Sequence, residues 1–198
     1  MTDASPRTDG RSDHKAATRQ ALIDAALQLF AAKGYDATST EEIAEQAGVS
    51  PRTFFRYFET KDRVLFFGGD DFNRDVVRQL PLQPLDVDDL TALEATMLSL
   101  TPLVVRLKRR IRLYYRALDS STALLGQHAA ATARHHEDVA VALAARRSLA
   151  APDERCRLTA ALAGLALDRA YHQWLDSRRD LTGVITESFA AVRTVAAR

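Results

Sequence analysis

The sequence predicts an all-α protein of about nine helices. Three observations carry this. Ala, Leu and Arg, all good helix formers, dominate the 198 residues. Apolar residues recur at spacings of three and four, and no run sustains the period-2 alternation of a half-buried strand. Gly34, Gly48, Pro51, Pro102 and Pro152 cut the chain into segments of helical length.

Residues 1–14 are polar, carry Pro6 and Gly10, and read as a flexible arm. From Lys15 to Lys33, Leu22, Ala26, Leu29 and Phe30 form one apolar stripe, and Gly34 is the expected stop. Thr40 is the expected N-cap of the next helix, with Glu41 and Glu42 in its electropositive first turn and Ile43 and Ala47 facing inward. Gly48 supplies a tight turn, and Val49 plugs it. Ser50 caps a third helix whose first position is Pro51, where a missing N–H costs nothing. Phe54 and Phe58, four apart, anchor that helix. A fourth helix starts near Thr60, with Gly68 and Gly69 expected to weaken or bend it. After the loop marked by Pro81 and Pro84, five segments follow: Asp88–Leu100, Leu103–Leu118 beyond a break at Pro102, Ser120–Leu149, Asp153–Arg178 and Thr182–Ala197.

Composition narrows the function. No apolar run approaches the ~18 residues of a membrane span, and residues 1–15 hold no secretory signal, so a cytoplasmic protein without membrane contact is expected. The single Cys156 excludes a disulfide framework and a multi-cysteine metal site. No phosphate-binding Gly-rich loop, HExxH or nucleophile–base pair occurs, so neither an enzyme nor a cofactor is expected. His128, His135, His136 and His172 lack a carboxylate at tight ligand spacing, and no metal is expected. Net charge is +1 overall. Residues 1–65 hold nine Lys/Arg against ten Asp/Glu, so a nucleic-acid reading must rest on placement.

Placement is favourable over Thr40–Lys61, which has the layout of a helix-turn-helix. The N-terminal residues of such a second helix reach base edges in a major groove. Arg52 can donate two hydrogen bonds to a guanine, and Thr53 can meet a base or a thymine methyl. Tyr57, Lys61 and Thr40 can bind phosphates.

The run of Leu22, Phe30, Gly34, Tyr35, Thr40, Ile43, Ala44, Ala47, Gly48, Val49, Phe54, Tyr57, Phe58 and Lys61 closely resembles the DNA-binding domain of TetR-family transcriptional regulators. The resemblance implies a three-helix DNA-binding domain over residues 15–65. A helical ligand-binding and dimerisation domain over residues 66–198 would follow it. It implies a homodimeric repressor released from a palindromic double-stranded operator by a small-molecule effector. In that pattern the DNA contacts fall on Thr40, Ser50, Pro51, Arg52, Thr53, Phe55, Tyr57 and Lys61. Phe55 departs from it, because many members carry a tyrosine there whose hydroxyl meets a phosphate. Arg56 is the candidate to compensate. The alternative is an all-helical small-molecule sensor that does not read DNA.

The basic run Arg106–Arg116 reads as a solvated face or as an anchor for an acidic ligand. Arg112, Tyr115, Arg116, Tyr171, His172 and Trp174 are the candidate effector-binding residues, with core packing as the competing role of the aromatics. The resemblance places the subunit interface on the last two helices. Its candidates are Ala160, Gly164, Leu167, Tyr171, Val184, Ile185, Phe189 and Val192.

Overall fold

The computed structural model describes residues 9–196. They form α1 (Asp9–Lys33), α2 (Thr40–Gln46), α3 (Pro51–Tyr57), α4 (Arg63–Gln79), a single 3-10 turn (Leu80–Leu82), α5 (Asp89–Arg106), α6 (Lys108–Leu118), α7 (Thr122–Arg146), α8 (Glu154–Leu175) and α9 (Leu181–Ala196). No strand occurs among the described residues. The expected flexible arm lies partly outside them, at residues 1–8. Its remainder from Asp9 onward is already α1.

Packing divides the chain into two compact units. The first holds the chain up to Phe67 together with Arg110–Gln127, and the second holds Gly68–Arg109 and His128–Arg198. The N-terminal unit therefore takes in most of α6 and the start of α7, beyond the boundary expected near residue 65.

In the first unit, Leu22, Ala26 and Phe30 of α1 meet Ile43 of α2, Phe54 of α3, Phe58 and Val64 in one core. Ala117, Leu118 and Leu124 complete that core. A bidentate pair ties α6 to α1: the Arg110 guanidinium donates to both Asp24 oxygens at 2.6 and 2.7 Å, and also to Gln20. The backbone N–H of Tyr35 donates to Ser120 Oγ at 3.2 Å, joining the α1–α2 loop to the α6–α7 turn.

In the second unit, α8 packs along α9, and α5 lies against both. Ala160, Ala163, Ala166 and Ala170 give α8 a buried face of small side chains, which permits close approach. Leu181, Val184, Ile185 and Phe189 of α9 fill the space. Asp89 and Arg146 are both buried and pair at 3.2 Å, and Arg146 also donates to the carbonyls of Pro84 and Val87. That arginine fixes the loop before α5.

The helix break expected at Pro102 does not occur, and the helix expected to weaken or bend at Gly68 and Gly69 runs on through them. Gly68 and Gly69 sit inside a continuous α4. A glycine costs a helix only about 1 kcal/mol. Here α4 is held against α7 by Asp70–His135 at 2.8 Å and by Asn73, which donates to Asp138 at 2.9 Å. Pro102 sits inside α5, and the chain breaks five residues later at Leu107. A proline leaves the carbonyl four residues earlier without its donor. That carbonyl is Leu98, and the hydroxyl of Thr101 donates to it at 2.8 Å. The neighbouring side chain thus repairs the ladder.

Thr101 is itself buried. Thr101→Val keeps its shape and removes the repair. Urea unfolding should show a loss of about 1–3 kcal/mol, the cost of an unsatisfied buried polar group. A loss below ~0.5 kcal/mol would show that the hydroxyl does not carry Pro102.

Candidate nucleic-acid interface

The interface is built from its two caps inward. Ser39, one residue before the expected Thr40, is the N-cap of α2. Its hydroxyl accepts from the Glu42 N–H at 3.1 Å, and Glu42 Oε2 accepts from the Ser39 N–H at 2.8 Å. This reciprocal box satisfies two orphan donors. The Lys33 ammonium and the box hold the Glu42 carboxyl down to about 2. Thr40 is the first helical residue, and its hydroxyl donates to Glu41.

At the other end of α2, Gly48 takes φ +69°. The Gly48 N–H donates to the Glu45 carbonyl, and the Val49 N–H reaches back to the Ala44 carbonyl, each at 2.9 Å. This is a Schellman stop, and only a residue tolerant of positive φ makes it cheaply. Ser50 follows at once as the N-cap of α3, accepting from the Thr53 N–H at 3.2 Å, with Pro51 at the first helical position.

Phe54 is fully buried and sets the face of α3. Arg52 and Arg56, two positions before and after it, then point outward and are exposed. Thr53 is half-buried, and its hydroxyl shares a 3.0 Å hydrogen bond with Ser50 Oγ. Phe55 is 52% exposed with no polar atom to offer. The Arg56 guanidinium lies over the Tyr57 ring at 5.3 Å. The first turn of α3 therefore presents Ser50, Pro51, Arg52 and Thr53, and the last turn presents Phe55, Arg56 and Tyr57.

Lys61 differs from its expected setting. It lies in the turn before α4, and its ammonium donates to the carbonyls of Tyr35 at 2.8 Å and Thr38 at 2.9 Å. It also sits 4.2 Å from the centre of the Tyr35 ring. Two of its three donors thus brace the loop leading into α2.

Residues 22–66 match the sequence profile of the family described as bacterial regulatory proteins, tetR family. The match covers the helix-turn-helix and the helices that carry it, and there the chain is similar to the TetR family. The regulator TcmR of Streptomyces glaucescens is 40% identical over 76 residues, which are 38% of this chain and 34% of TcmR. YvkB of Bacillus subtilis is 54% identical over 48 residues, 24% of this chain and 25% of YvkB. The chain thus spans about a third or less of these relatives. MftR of Mycobacterium tuberculosis is 27% identical over 186 residues, 89% of this chain and 88% of that protein. The crystal structure of NalD, the secondary repressor of the MexAB-OprM multidrug efflux pump in Pseudomonas aeruginosa, covers 90% of this chain and 96% of its own. Its TM-score is 0.56 at 20% identity, which is a likeness of fold.

Outside the TetR-type head, the structure sorts the expected effector residues into different surroundings. Arg112, Tyr115 and Arg116 belong to the first unit, and Tyr171, His172 and Trp174 to the second. Tyr115 packs against the core of the head. Arg112 and Arg116 are exposed on α6. Trp174 is buried beneath the Lys108 ammonium, 4.6 Å from its ring, and Lys108 donates to the Ser177 carbonyl. Tyr171 packs on Trp174, and burial raises its phenol above the ordinary value. His172 is exposed, 3.7 Å from Asp168. Trp174 is core, and Arg110 and Lys108 of the basic run are spent on intrachain partners.

Five of the eight expected interface residues pack inside the subunit. Ala160, Val184, Ile185 and Phe189 are buried in its own core. Gly164 is covered by α7, since a Cβ there would fall 2.1 Å from His136 Nε2. Leu167, Tyr171 and Val192 are half-buried. The exposed apolar residues of α8 and α9 are others: Leu158, Leu162, Leu165 and Val195. An open groove of about 530 Å³ runs between the two helices, lined by Leu162, Leu165, Ala166, Ala191, Val192 and Val195 with Arg169, Gln173, Glu187 and Ser188.

Phe54→Ala should cost about 3–5 kcal/mol, the usual loss for a fully buried phenylalanine. Thermal denaturation of the purified protein measures it. A cost under ~1 kcal/mol would mean that α3 is held by its caps alone.

Proposed function

We propose that the protein is a ligand-responsive, homodimeric transcriptional repressor, not an enzyme, acting in the cytoplasm on a palindromic operator. The observation that supports it most is the first turn of α3. Arg52 is exposed on a helix whose start is fixed by Ser50 and Pro51 and whose roll is fixed by Phe54. That is a rigid mount for a side chain able to donate two hydrogen bonds to a guanine. Thr53 is its partner for a neighbouring base. Thr40, Ser50, Arg56, Tyr57 and the remaining donor of Lys61 serve the phosphates, and Pro51 and Phe55, which have no side-chain polar group to offer, serve only by contact. A small-molecule effector releases the DNA by binding the other conformation more tightly.

Dimerisation is assigned to the exposed faces of α8 and α9. Leu158, Leu162 and Leu165 recur at helical spacing on α8, and Val192 and Val195 flank them on α9. Two such helix pairs across a two-fold axis make a four-helix arrangement. It links two heads, as two half-sites require.

Two measurements test this reading. With duplexes from the DNA flanking its own gene, Arg52→Ala should lose about 1–3 kcal/mol of binding and lose preference at one base position. Equal loss on every sequence would remove Arg52 from base reading, and no binding by the wild type would remove the function. In sedimentation at micromolar concentration, Leu165→Glu should shift the protein from dimer to monomer. An unshifted dimer would move the interface elsewhere.

A further inference from the structure

Beside α3 lies a notch of about 490 Å³ lined by His14 and Lys15 of α1 and by Arg56 and Tyr57 of α3. Every lining side chain carries a hydrogen-bond donor, and no carboxylate lines it. His14, Lys15 and Arg56 are exposed, and Tyr57 is half-buried. Neither Lys15 nor Arg56 makes an ion pair among the described residues. Cations elsewhere in the chain do: Lys33 with Glu42, Arg74 with Asp71, Arg78 with Asp75, Arg110 with Asp24, Arg157 with Glu137. Two fixed positive charges facing one cleft repel each other, and an anion with several acceptor oxygens would relieve this.

The place of the notch narrows the anion. Arg56 and Tyr57 end the helix that Arg52 and Thr53 begin. Seven residues span about 10 Å of helix axis, close to the ~12 Å width of a major groove. An anion in the notch therefore stands from the first turn of α3 about as a backbone phosphate stands from the base edges.

We propose that α1 supplies half of a phosphate clamp. Lys15, assisted by His14, closes with Arg56 and Tyr57 on one phosphodiester of the operator backbone, beside the position where Phe55 offers no hydroxyl. The clamp rests on the DNA-binding reading given above. It makes α1 a contact element as well as a core helix, and it fixes the register of α3 without reading sequence.

The test is a salt titration of binding to the flanking-gene duplex, followed by fluorescence anisotropy. Lys15→Gln and Arg56→Gln should each weaken binding about tenfold and reduce the slope of log K against log salt by about 0.9. Arg78→Gln, whose side chain pairs with Asp75 on α4, should leave both unchanged. One neutral methylphosphonate, walked along each strand, should reveal a position where wild type and Lys15→Gln bind equally. A merely structural role for Lys15 would show no such position. If the wild type binds DNA and both glutamine variants keep its affinity and slope, the clamp is wrong and the DNA reading stands. If the wild type binds no duplex even at low salt, both fall. If inorganic phosphate shifts the His14 and Lys15 resonances and operator DNA does not displace it, the notch holds a free anion and the assignment to DNA is overturned.

Discussion

A seven-residue helix cannot hold itself together in water, so the head of this protein depends on the burial of Phe54. Helix nucleation is costly, and isolated helices below about 12 residues are marginal even with good formers. α3 carries Thr, two Phe and Tyr, which are not good formers. Its stability has to come from the burial of Phe54 in the core that also holds Phe58, Ile43 and Leu22. That burial also decides orientation. Each residue turns a helix by about 100°, so with Phe54 inward Arg52 and Arg56 both lie on the far side. Stability and presentation are thus one constraint, and a change that loosened Phe54 would blur the aim of Arg52 as well.

The support reaches well beyond the motif. The turn at Gly48 and the cap at Ser50 are local, but the entry into α2 is not. Lys61 holds the carbonyls of Tyr35 and Thr38 across 26 and 23 residues of sequence. Tyr35 is held in turn by Ser120, 85 residues away, and α1 by Arg110, 86 residues away. The compact head is therefore completed by α6 and the start of α7. A change in the segment Arg110–Gln127 acts directly on the loop that leads to Thr40.

What could be read from the sequence follows the range of the interaction. The Schellman stop, the Ser50–Pro51 start and the Phe54/Phe58 anchor depend on neighbours within six residues, so residue type alone announced them. Pro102 misled because its repair uses the hydroxyl of Thr101, and a lone Pro gives no hint that the preceding side chain will donate. Ser39 was passed over for Thr40 because both can cap, and only the geometry with Glu42 chooses. Part of the expected interface set turned out to be core for another reason. Apolar character says that a side chain is buried, not by whom, and Val184, Ile185 and Phe189 are buried by their own chain. A second apolar stripe, at Leu158, Leu162 and Leu165, repeats at helical spacing and is exposed among the described residues. His14 was assigned to the expected arm and Lys15 only to the first position of the helix, since the polar composition around them concealed the earlier start of α1.

Net charge near zero looks like an objection to DNA binding, and the ion pairs answer it. An acid cancels a cation locally only when the two are paired. In the first unit Glu42 is engaged by Lys33 and Asp24 by Arg110. Arg52, Arg56 and Lys15 have no such partner among the described residues. Screening in ~0.1 M salt confines the field of each exposed charge to about 10 Å. A phosphate approaching α3 therefore responds to these three cations far more than to acids on other faces. The head can be neutral in sum and cationic where contact occurs, and its affinity would then depend on a few placed groups with a correspondingly modest salt slope.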